Sequence, residues 1–288
     1  MGSPSRSRSG SAPSSLVFLR HSRGPLAGQP FLLAPFQKQF VAEFYRRDEH
    51  NRRLYQLGLL GLPRGNGKTS LAAGLALYEL CARTDAPQIL FAGTSKSQAA
   101  IAAELARALS EPGELSHWLR FRKGLISCPA THGVALTLGG DGRLHHGHNP
   151  TAVIVDELWA FQRRQELESY AALATSIPKR AGHSYLLATT TAGPQRKGKL
   201  WTIHQHALTH PNCEQPTPSL TTLRDQENGF LFHWYAAPDN ADPDDDHTLR
   251  GCNPAPWLPL DQLRRLNHRD DLTANDYRRL ILNQWPPD

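Results

Sequence analysis

Short apolar runs alternate with helical segments along most of the chain. Runs such as LYQLGLL, QILFAG, TAVIVDE and SYLLATTT have the length and the aliphatic content of buried strands. The segments LAAGLALYELCAR and SKSQAAIAAELARALS between them favour helices, and Ser95 is placed to cap the second one. Parallel strands need crossover connections, which helices usually provide. The pattern therefore predicts an α/β fold whose mainly parallel sheet is covered by helices on both faces.

The same pattern divides the chain into three parts. Residues 1–28 lack periodicity and repeat Ser, Arg, Gly and Pro, which predicts a flexible basic arm. Residues 29–212 begin with an amphipathic helix and continue with the alternating strands and helices of the core. In residues 213–288 the pattern loosens into loops, one strand and two closing helices. We interpret this last part as a lid or linker subdomain that continues the core.

Composition limits the classes of protein that the chain can belong to. Of its 288 residues, 39% are hydrophobic, which suffices for a sizeable core and excludes a wholly disordered or collagen-like chain. The net charge of +6 permits a polyanionic partner without identifying one. No apolar run approaches the ~20 residues that cross a bilayer, and no two of the four cysteines have CxxC spacing. We therefore expect a cytoplasmic protein with reduced thiols and no membrane partner.

A glycine-rich loop joins the first core strand directly to a helix, which is the context that a P-loop requires. Its backbone amides and the helix N-terminus would form a concave positive site for phosphates. Lys68 would reach the β- and γ-phosphates of a nucleotide, and Thr69 would help to hold Mg²⁺. The usual first glycine falls at Leu62, so a chance glycine-rich turn is the alternative. The residues expected to contact the nucleotide are Gly65, Asn66, Gly67, Lys68, Thr69 and Ser70.

Two carboxylates, Asp156 and Glu157, end a later strand of the buried type. Ligands of parallel sheets bind at the carboxyl ends of the strands, where one acid can hold Mg²⁺ and the next can polarise the attacking water. The alternative is that the pair opens the next helix as N-terminal charges. Loop and carboxylates together predict Mg²⁺-dependent ATP hydrolysis. A following strand ends in Thr189, Thr190 and Thr191, placed either to sense the γ-phosphate or for β-propensity alone.

Taken in order, these motifs resemble a known family. The strings PFQKQF, PRGNGKTS, GTSKSQAA, GHNPTAVIVDELWAF, LLATTTAGP and LILNQW are similar to the ATPase part of the large terminase subunit of tailed bacteriophages. The resemblance extends from about residue 30 to the C-terminus. It implies a P-loop NTPase of the additional-strand, catalytic-glutamate class, which hydrolyses ATP to move double-stranded DNA into a procapsid.

The resemblance also implies cofactors and partners. We expect ATP and Mg²⁺ at the site, and a portal protein, a small terminase subunit and a homo-oligomeric ring of five around the DNA in the host cytoplasm. Full-length members continue into an RNase H-like nuclease domain. This chain reaches Asp288 about where the linker to that domain would begin, so we expect no nuclease activity from it.

Individual roles follow from matching positions in the family. Asp156 is implied as the Mg²⁺ carboxylate and Glu157 as the catalytic base. Thr190 and Thr191 match the coupling motif that links hydrolysis to DNA movement. Arg64 matches the arginine of terminase phosphate loops, which contacts the γ-phosphate or aligns the catalytic glutamate.

Two further residues are matched to family positions, each with an alternative interpretation. Gln37 is similar to the adenine-reading glutamine that precedes the first strand, and a surface glutamine on an amphipathic helix is the alternative. Arg143 is our candidate for the arginine that a neighbouring subunit contributes, with a solvated loop arginine as the alternative. Arg196, Lys197 and Lys199, just after the threonines, are placed either to touch DNA phosphates or to form a solvated turn.

Two other functions stay open at this point. The chain could be a nucleotide- and DNA-binding module with little turnover outside its ring. It could instead be a helicase-like P-loop ATPase, which the lack of a recognisable second motor domain disfavours.

Overall fold

Ten strands form one continuous sheet in the computed structural model, which describes residues 16–24, 26–139 and 147–287. Two further strands pair with each other near the N-terminus. The strands are β1 (Leu16–Arg20), β2 (Pro30–Phe31), β3 (Leu57–Gly61), β4 (Gln88–Ala92), β5 (Arg120–Arg122), β6 (Leu125–Cys128), β7 (Gly133–Leu138), β8 (Ala152–Asp156), β9 (Tyr185–Thr190), β10 (Cys213–Thr217), β11 (Leu220–Asp225) and β12 (Phe230–Tyr235).

The α-helices connect these strands and close the chain. They are α1 (Pro35–Phe44), α2 (Lys68–Ala82), α3 (Lys96–Ser110), α4 (Arg164–Ala174), α5 (Gly198–Thr209), α6 (Asp246–Cys252), α7 (Leu260–Asn267) and α8 (Ala274–Ile281). The predicted cap of α3 is confirmed, because the Ser95 side chain accepts a hydrogen bond from the Gln98 amide. None of the described helices has the length and apolar character needed to span a membrane. All four cysteines are free.

The sheet has the order β10-β11-β12-β3-β9-β8-β4-β7-β6-β5. The strands from β12 to β7 are parallel, and antiparallel strands extend both edges. The predicted mainly parallel α/β sheet is therefore confirmed. β9 lies between β3 and β8, the strands that lead into the glycine loop and into the paired carboxylates. The carboxyl ends of these three strands consequently lie side by side.

The central strands are buried on both faces, as β8 illustrates. Ala152 and Ile154 contribute to the core shared with α1, α2 and α3, whereas Val153 and Val155 contribute to the core shared with α4 and α5. Successive side chains of a strand point to opposite faces. A strand covered on both faces therefore reads as a continuous apolar run, which is why the sequence signal was strong here.

The N-terminal strand corrects the prediction of a flexible arm that extends to residue 28. β1 pairs antiparallel with β2, and Leu16 and Leu19 are 0% and 1% exposed. An added Cβ on Gly74 of α2 would stand 2.6 Å from Leu16 Cδ1, so the strand packs closely on that helix. Burial of two leucine side chains stabilises the fold by roughly 3–6 kcal/mol, which explains why this segment is an ordered strand. Residues 1–15 lie outside the described residues.

Helices α6, α7 and α8 form a small core of their own, which we call the C-terminal helical unit. Leu249, Leu263, Tyr277 and Ile281 pack together there. The acidic run before α6 starts this unit, because the Asp245 carboxylate caps the helix by accepting the Thr248 amide. The acidic residues Asp242, Asp244, Asp245 and Asp246 thus lead into the start of a helix.

Candidate functional site

The glycine loop turns sharply between β3 and α2. Gly65 and Gly67 have φ angles of +82° and +75°, in the left-handed region that glycine adopts without strain. Gly67 is the N-cap of α2, and its carbonyl accepts the amide of Leu71. The first amides of α2 have no acceptor within the helix and carry the positive end of its dipole. Loop and helix together form a site suited to phosphate.

Lys68 is almost completely buried beneath this loop, with 5% of its surface exposed. Its Nζ donates to the carbonyls of Leu62 at 2.7 Å and Pro63 at 3.0 Å. Burial lowers the pKa of the ammonium to about 8, although the carboxylates of Glu157 and Asp156 act in the opposite direction. A poorly solvated cation interacts strongly with a bound anion. A phosphate bound at this loop would therefore be attracted strongly by Lys68.

Asp156 receives hydrogen bonds from two hydroxyl groups. Thr69 Oγ1 donates to its Oδ2 at 2.8 Å, and Thr189 Oγ1 donates to its Oδ1 at 2.6 Å. The second contact follows from the register of the sheet, in which Asp156 and Thr189 are paired across β8 and β9. Since Thr69 belongs to the first turn of α2, the first contact joins the glycine loop to the carboxylate strand.

The oxygens of Thr69 and Asp156 suit a magnesium ion. Mg²⁺ prefers oxygen ligands and is commonly bound by one or two protein groups together with substrate phosphates. A hydroxyl and a carboxylate oxygen that lie 2.8 Å apart can face one such ion. The described ranges contain no group of three or more His, Cys, Asp or Glu side chains fit to hold a metal. Thr69 and Asp156 thus offer two oxygen donors to such an ion.

Glu157 has a backbone conformation that residues other than glycine rarely adopt. Its φ of +56° and ψ of +57° lie in the left-handed region, at a cost of roughly 1–2 kcal/mol. Strain of this kind is concentrated at functional sites. The Oε2 atom accepts the Trp159 Nε1–H at 2.7 Å and lies 3.4 Å from the donating Thr191 amide. The carboxylate is therefore fixed beside the end of β9.

Thr190 and Thr191 are both buried at that strand end. The Thr190 Oγ1 donates to the Thr191 carbonyl at 2.8 Å and accepts the Trp159 amide at 3.1 Å. The Thr190 carbonyl accepts the Leu62 amide of the glycine loop at 3.0 Å. The two threonines thus lie between the loop and the turn that carries Glu157.

The other predicted nucleotide contacts differ in exposure. Gln37 is 1% exposed, and its Oε1 accepts the Ala34 amide at 3.0 Å at the start of α1. Its Nε2 lies 3.3 Å from the position that a Cβ on Gly67 would occupy, so Gln37 is beside the loop and not on the outer surface. Ser70 is half-buried in the first turn of α2, and Arg64 is exposed. Arg143 lies outside the described residues.

The C-terminal helical unit holds the glycine loop through Asn66, a contact that the sequence did not predict. Asn66 is fully buried and donates from Nδ2 to Asn253 Oδ1 at 2.8 Å. Its Oδ1 accepts the amide of Ala255 at 3.2 Å. Both partners lie at the end of α6 or just after it. The loop asparagine therefore acts as a structural connection as well as a loop residue.

Further contacts from the same unit reach the loop backbone. The Arg64 amide donates to the Leu280 carbonyl of α8 at 2.8 Å. Trp257 Nε1 donates to the Gly65 carbonyl at 2.9 Å, while its ring stays 42% exposed. The sequence offered no signal for these partners, because they are far from the loop along the chain.

Comparisons with known proteins agree with this geometry. A family model described as the ATPase domain of the terminase large subunit matches residues 35–207. The terminase large subunit of Enterobacteria phage HK97 is 34% identical over 273 residues, which cover 91% of this chain and 50% of that protein. The chain thus spans about half the length of this curated relative.

Solved structures with a similar fold include the large terminase of bacteriophage HK97, with a TM-score of 0.76 at 22% identity over 95% of this chain and 54% of that one. The large terminase of a thermophilic bacteriophage in complex with ADP has a TM-score of 0.55 at 12% identity, covering 88% of this chain and 53% of that one. The ATPase domain of a Thermus phage large terminase has a TM-score of 0.53 at 15% identity, covering 88% of this chain and 100% of that one. At these identities the structures support the fold.

Proposed function

Because the chain belongs to the terminase large subunit ATPase-domain family, we propose that it is a Mg²⁺-dependent motor whose ATP hydrolysis drives double-stranded DNA into a phage procapsid. The observation that carries this proposal is the joining of the glycine loop to the carboxylate strand by the bond from Thr69 to Asp156. Lys68 lies beneath the same loop, and Glu157 follows directly in the chain. Phosphate-binding and acidic groups thus share one edge of the sheet.

Each residue has a distinct part in the proposed reaction. Lys68 and the loop amides bind the β- and γ-phosphates and offset the charge that develops on them. Thr69 and Asp156 would hold Mg²⁺, which when bound screens the phosphate charge. Glu157 orients the attacking water and accepts its proton. Gln37, beside Gly67, is the proposed partner of the adenine edge, since a side-chain amide can both donate and accept hydrogen bonds.

Movement of DNA requires contacts beyond this edge. A cavity of about 560 Å³ opens next to the segment that follows β9, and Arg196 and Lys197 are among the residues that border it. Cations in this position suit DNA phosphates, which supply most of the sequence-independent affinity of DNA-binding proteins. We propose that Arg196 and Lys197 contact the DNA and that Thr190 and Thr191 couple the nucleotide state to that contact.

The proposed assembly is a ring of five copies on a portal protein, supplied with DNA by a small terminase subunit in the host cytoplasm. In such a ring a neighbouring copy would complete each site with an arginine, for which Arg143 is the candidate. A guanidinium from a neighbour raises the rate because it stabilises charge on the γ-phosphate. The rate per subunit should therefore rise with protein concentration.

Phosphate release with and without Glu157→Gln tests the catalytic part of the proposal. We expect Mg²⁺-dependent release from the wild type, a loss of at least 100-fold in the variant, and retained binding of a fluorescent ATP analogue. Glu168→Gln, on the exposed side of α4, is the matched control and should leave the rate unchanged. Equal turnover in wild type and Glu157→Gln would refute the assignment.

The same assay, repeated over a range of protein concentrations with and without duplex DNA, separates the remaining functions. For a motor, the rate of phosphate release per subunit should increase with protein concentration and with added duplex DNA. Nucleotide and DNA binding with a low, concentration-independent rate would instead favour a binding module. Separation of duplex strands during hydrolysis would favour a helicase-like ATPase.

A further inference from the structure

An aromatic side chain connects α8 of the C-terminal helical unit to the carboxylate of Glu157. The Arg279 guanidinium lies over the Trp159 ring, 5.1 Å from its centroid. The Nε1–H of the same ring donates to Glu157 Oε2 at 2.7 Å. We call these three residues the aromatic bridge. A cation over an indole and an indole N–H on a carboxylate are both favourable contacts, so the bridge runs without a break from α8 to Glu157.

Arg279 occupies its position at a cost to the fold. Within the described residues its Nη1 is buried without a hydrogen-bond partner, and the Asp276 carboxylate is 3.9 Å from its Nη2. Burial lowers the pKa of this guanidinium, and the charges of Asp276 and, to a lesser extent, Glu157 act against that shift. A buried donor that lacks an acceptor destabilises the folded state and calls for an explanation in terms of function. Packing alone does not explain an arginine here.

Backbone groups at Trp159 and next to Arg279 connect the aromatic bridge to the proposed nucleotide site. Leu280, the residue after Arg279, accepts the Arg64 amide of the glycine loop at 2.8 Å. The amide of Trp159 donates to Thr190 Oγ1 at 3.1 Å. These hydrogen bonds fix the position of the bridge relative to the glycine loop on one side and to Thr190 on the other.

We propose that Trp159 and Arg279 are positioning residues that hold the Glu157 carboxylate in place for hydrolysis. This inference rests on the proposed function of Glu157 as the general base. Trp159 directs one carboxylate oxygen, which leaves the other oxygen for water. Arg279 fixes the plane of the indole and thereby makes the orientation of Glu157 depend on α8. Small errors in the position of a reacting group reduce rates strongly.

Substitutions that remove one contact at a time test the bridge. Trp159→Phe keeps an aromatic face for Arg279 but removes the N–H, and we expect kcat to fall roughly 10-fold or more with an unchanged KM for ATP. Arg279→Met should lower kcat in the same way, and Arg279→Lys should restore part of it because an ammonium also binds the ring face. The matched controls are the exposed Trp118→Phe and Arg278→Met.

Two measurements that do not depend on turnover complete the test. Arg279→Met should leave the melting temperature unchanged or raise it, because it removes a buried unpaired donor. In ¹H–¹⁵N spectra, the indole resonance that Trp159→Phe deletes should be the one that Glu157→Gln shifts most.

The outcomes separate this inference from the proposed function. If the wild type hydrolyses ATP and Glu157→Gln does not, while Trp159→Phe and Arg279→Met keep wild-type kcat, the positioning role is wrong and the function stands. An increase in kcat in either variant, or a loss of kcat explained by a lowered melting temperature, also overturns it. An inactive wild type would instead count against the proposed function.

Discussion

If Lys68 binds a nucleotide phosphate as proposed, we expect its burial to make nucleotide affinity depend on pH in the alkaline range. Burial lowers the pKa of this group to about 8 without ligand, whereas a bound phosphate would keep the ammonium protonated. Below pH 8 the free site already carries its proton, so affinity is almost constant. Above pH 8 the free site has lost the proton and must take it up again on binding, so affinity falls.

The magnitude follows from the fraction of Lys68 that is protonated. With a pKa of about 8, this fraction is about three quarters at pH 7.5 and about 3% at pH 9.5. The dissociation constant for ADP should therefore rise roughly 25-fold across this interval, which corresponds to about 2 kcal/mol of binding free energy. Binding at pH 8.5 should also take up about 0.75 of a proton.

Fluorescence anisotropy with a labelled ADP at fixed ionic strength measures this dependence. The matched control is Lys68→Arg, whose guanidinium stays charged throughout the range, so any slope it shows reports other groups. Calorimetry in buffers of different ionisation enthalpy counts the protons taken up. A wild-type affinity that changes by less than about threefold, with no proton uptake, would refute the idea that burial depresses the pKa of Lys68.

Three further perturbations have defined outcomes. Burial lowers the pKa of His204 to about 4 by desolvation, so the unfolded chain protonates this histidine at a higher pH than the folded one. The free energy of unfolding should therefore fall by about 3 kcal/mol as the pH drops from 6.5 to 4. His204→Phe should flatten that profile in urea titrations, and an unaltered slope would contradict this. Asn66→Ala should lower the free energy of unfolding by roughly 2–3 kcal/mol, unlike the exposed Asn275→Ala. Thr189→Val should raise the Mg²⁺ concentration for half-maximal activity roughly 10-fold because Asp156 loses a donor, and equal Mg²⁺ dependence would rule this out.

The elements that the sequence predicted well are those with local signals. β8 is recognisable as a buried strand because its first four residues are apolar and the fifth, Asp156, ends it. The glycine loop is recognisable because its glycines need positive φ angles immediately before a helix. Ser95 is recognisable because a cap acts within one turn. Such signals are contained in a window of ten or so residues.

The contacts that the sequence did not predict are settled by distant parts of the chain. Asn66 and its partner Asn253 are 187 positions apart, and no local pattern relates them. The sequence does not show which of three consecutive threonines donates a hydrogen bond to Asp156. The pairing of Asp156 with Thr189 across β8 and β9 decides it. The segment from Leu16 is not recognisable as ordered from its own sequence, because its burial depends on contacts with α2 and α3, which follow much later in the chain.

The attachment of α8 and the neighbouring loop to the glycine loop and to the end of β9 bears on where the chain can be shortened. The Arg64 amide uses the Leu280 carbonyl, and the Ala192 amide uses Asn283 Oδ1 at 2.7 Å. A truncation at residue 207, where the family match ends, would remove both acceptors together with β12, the strand that pairs with β3. Expression boundaries chosen from the family match alone would therefore yield a protein that lacks part of its sheet and the contacts that hold the glycine loop.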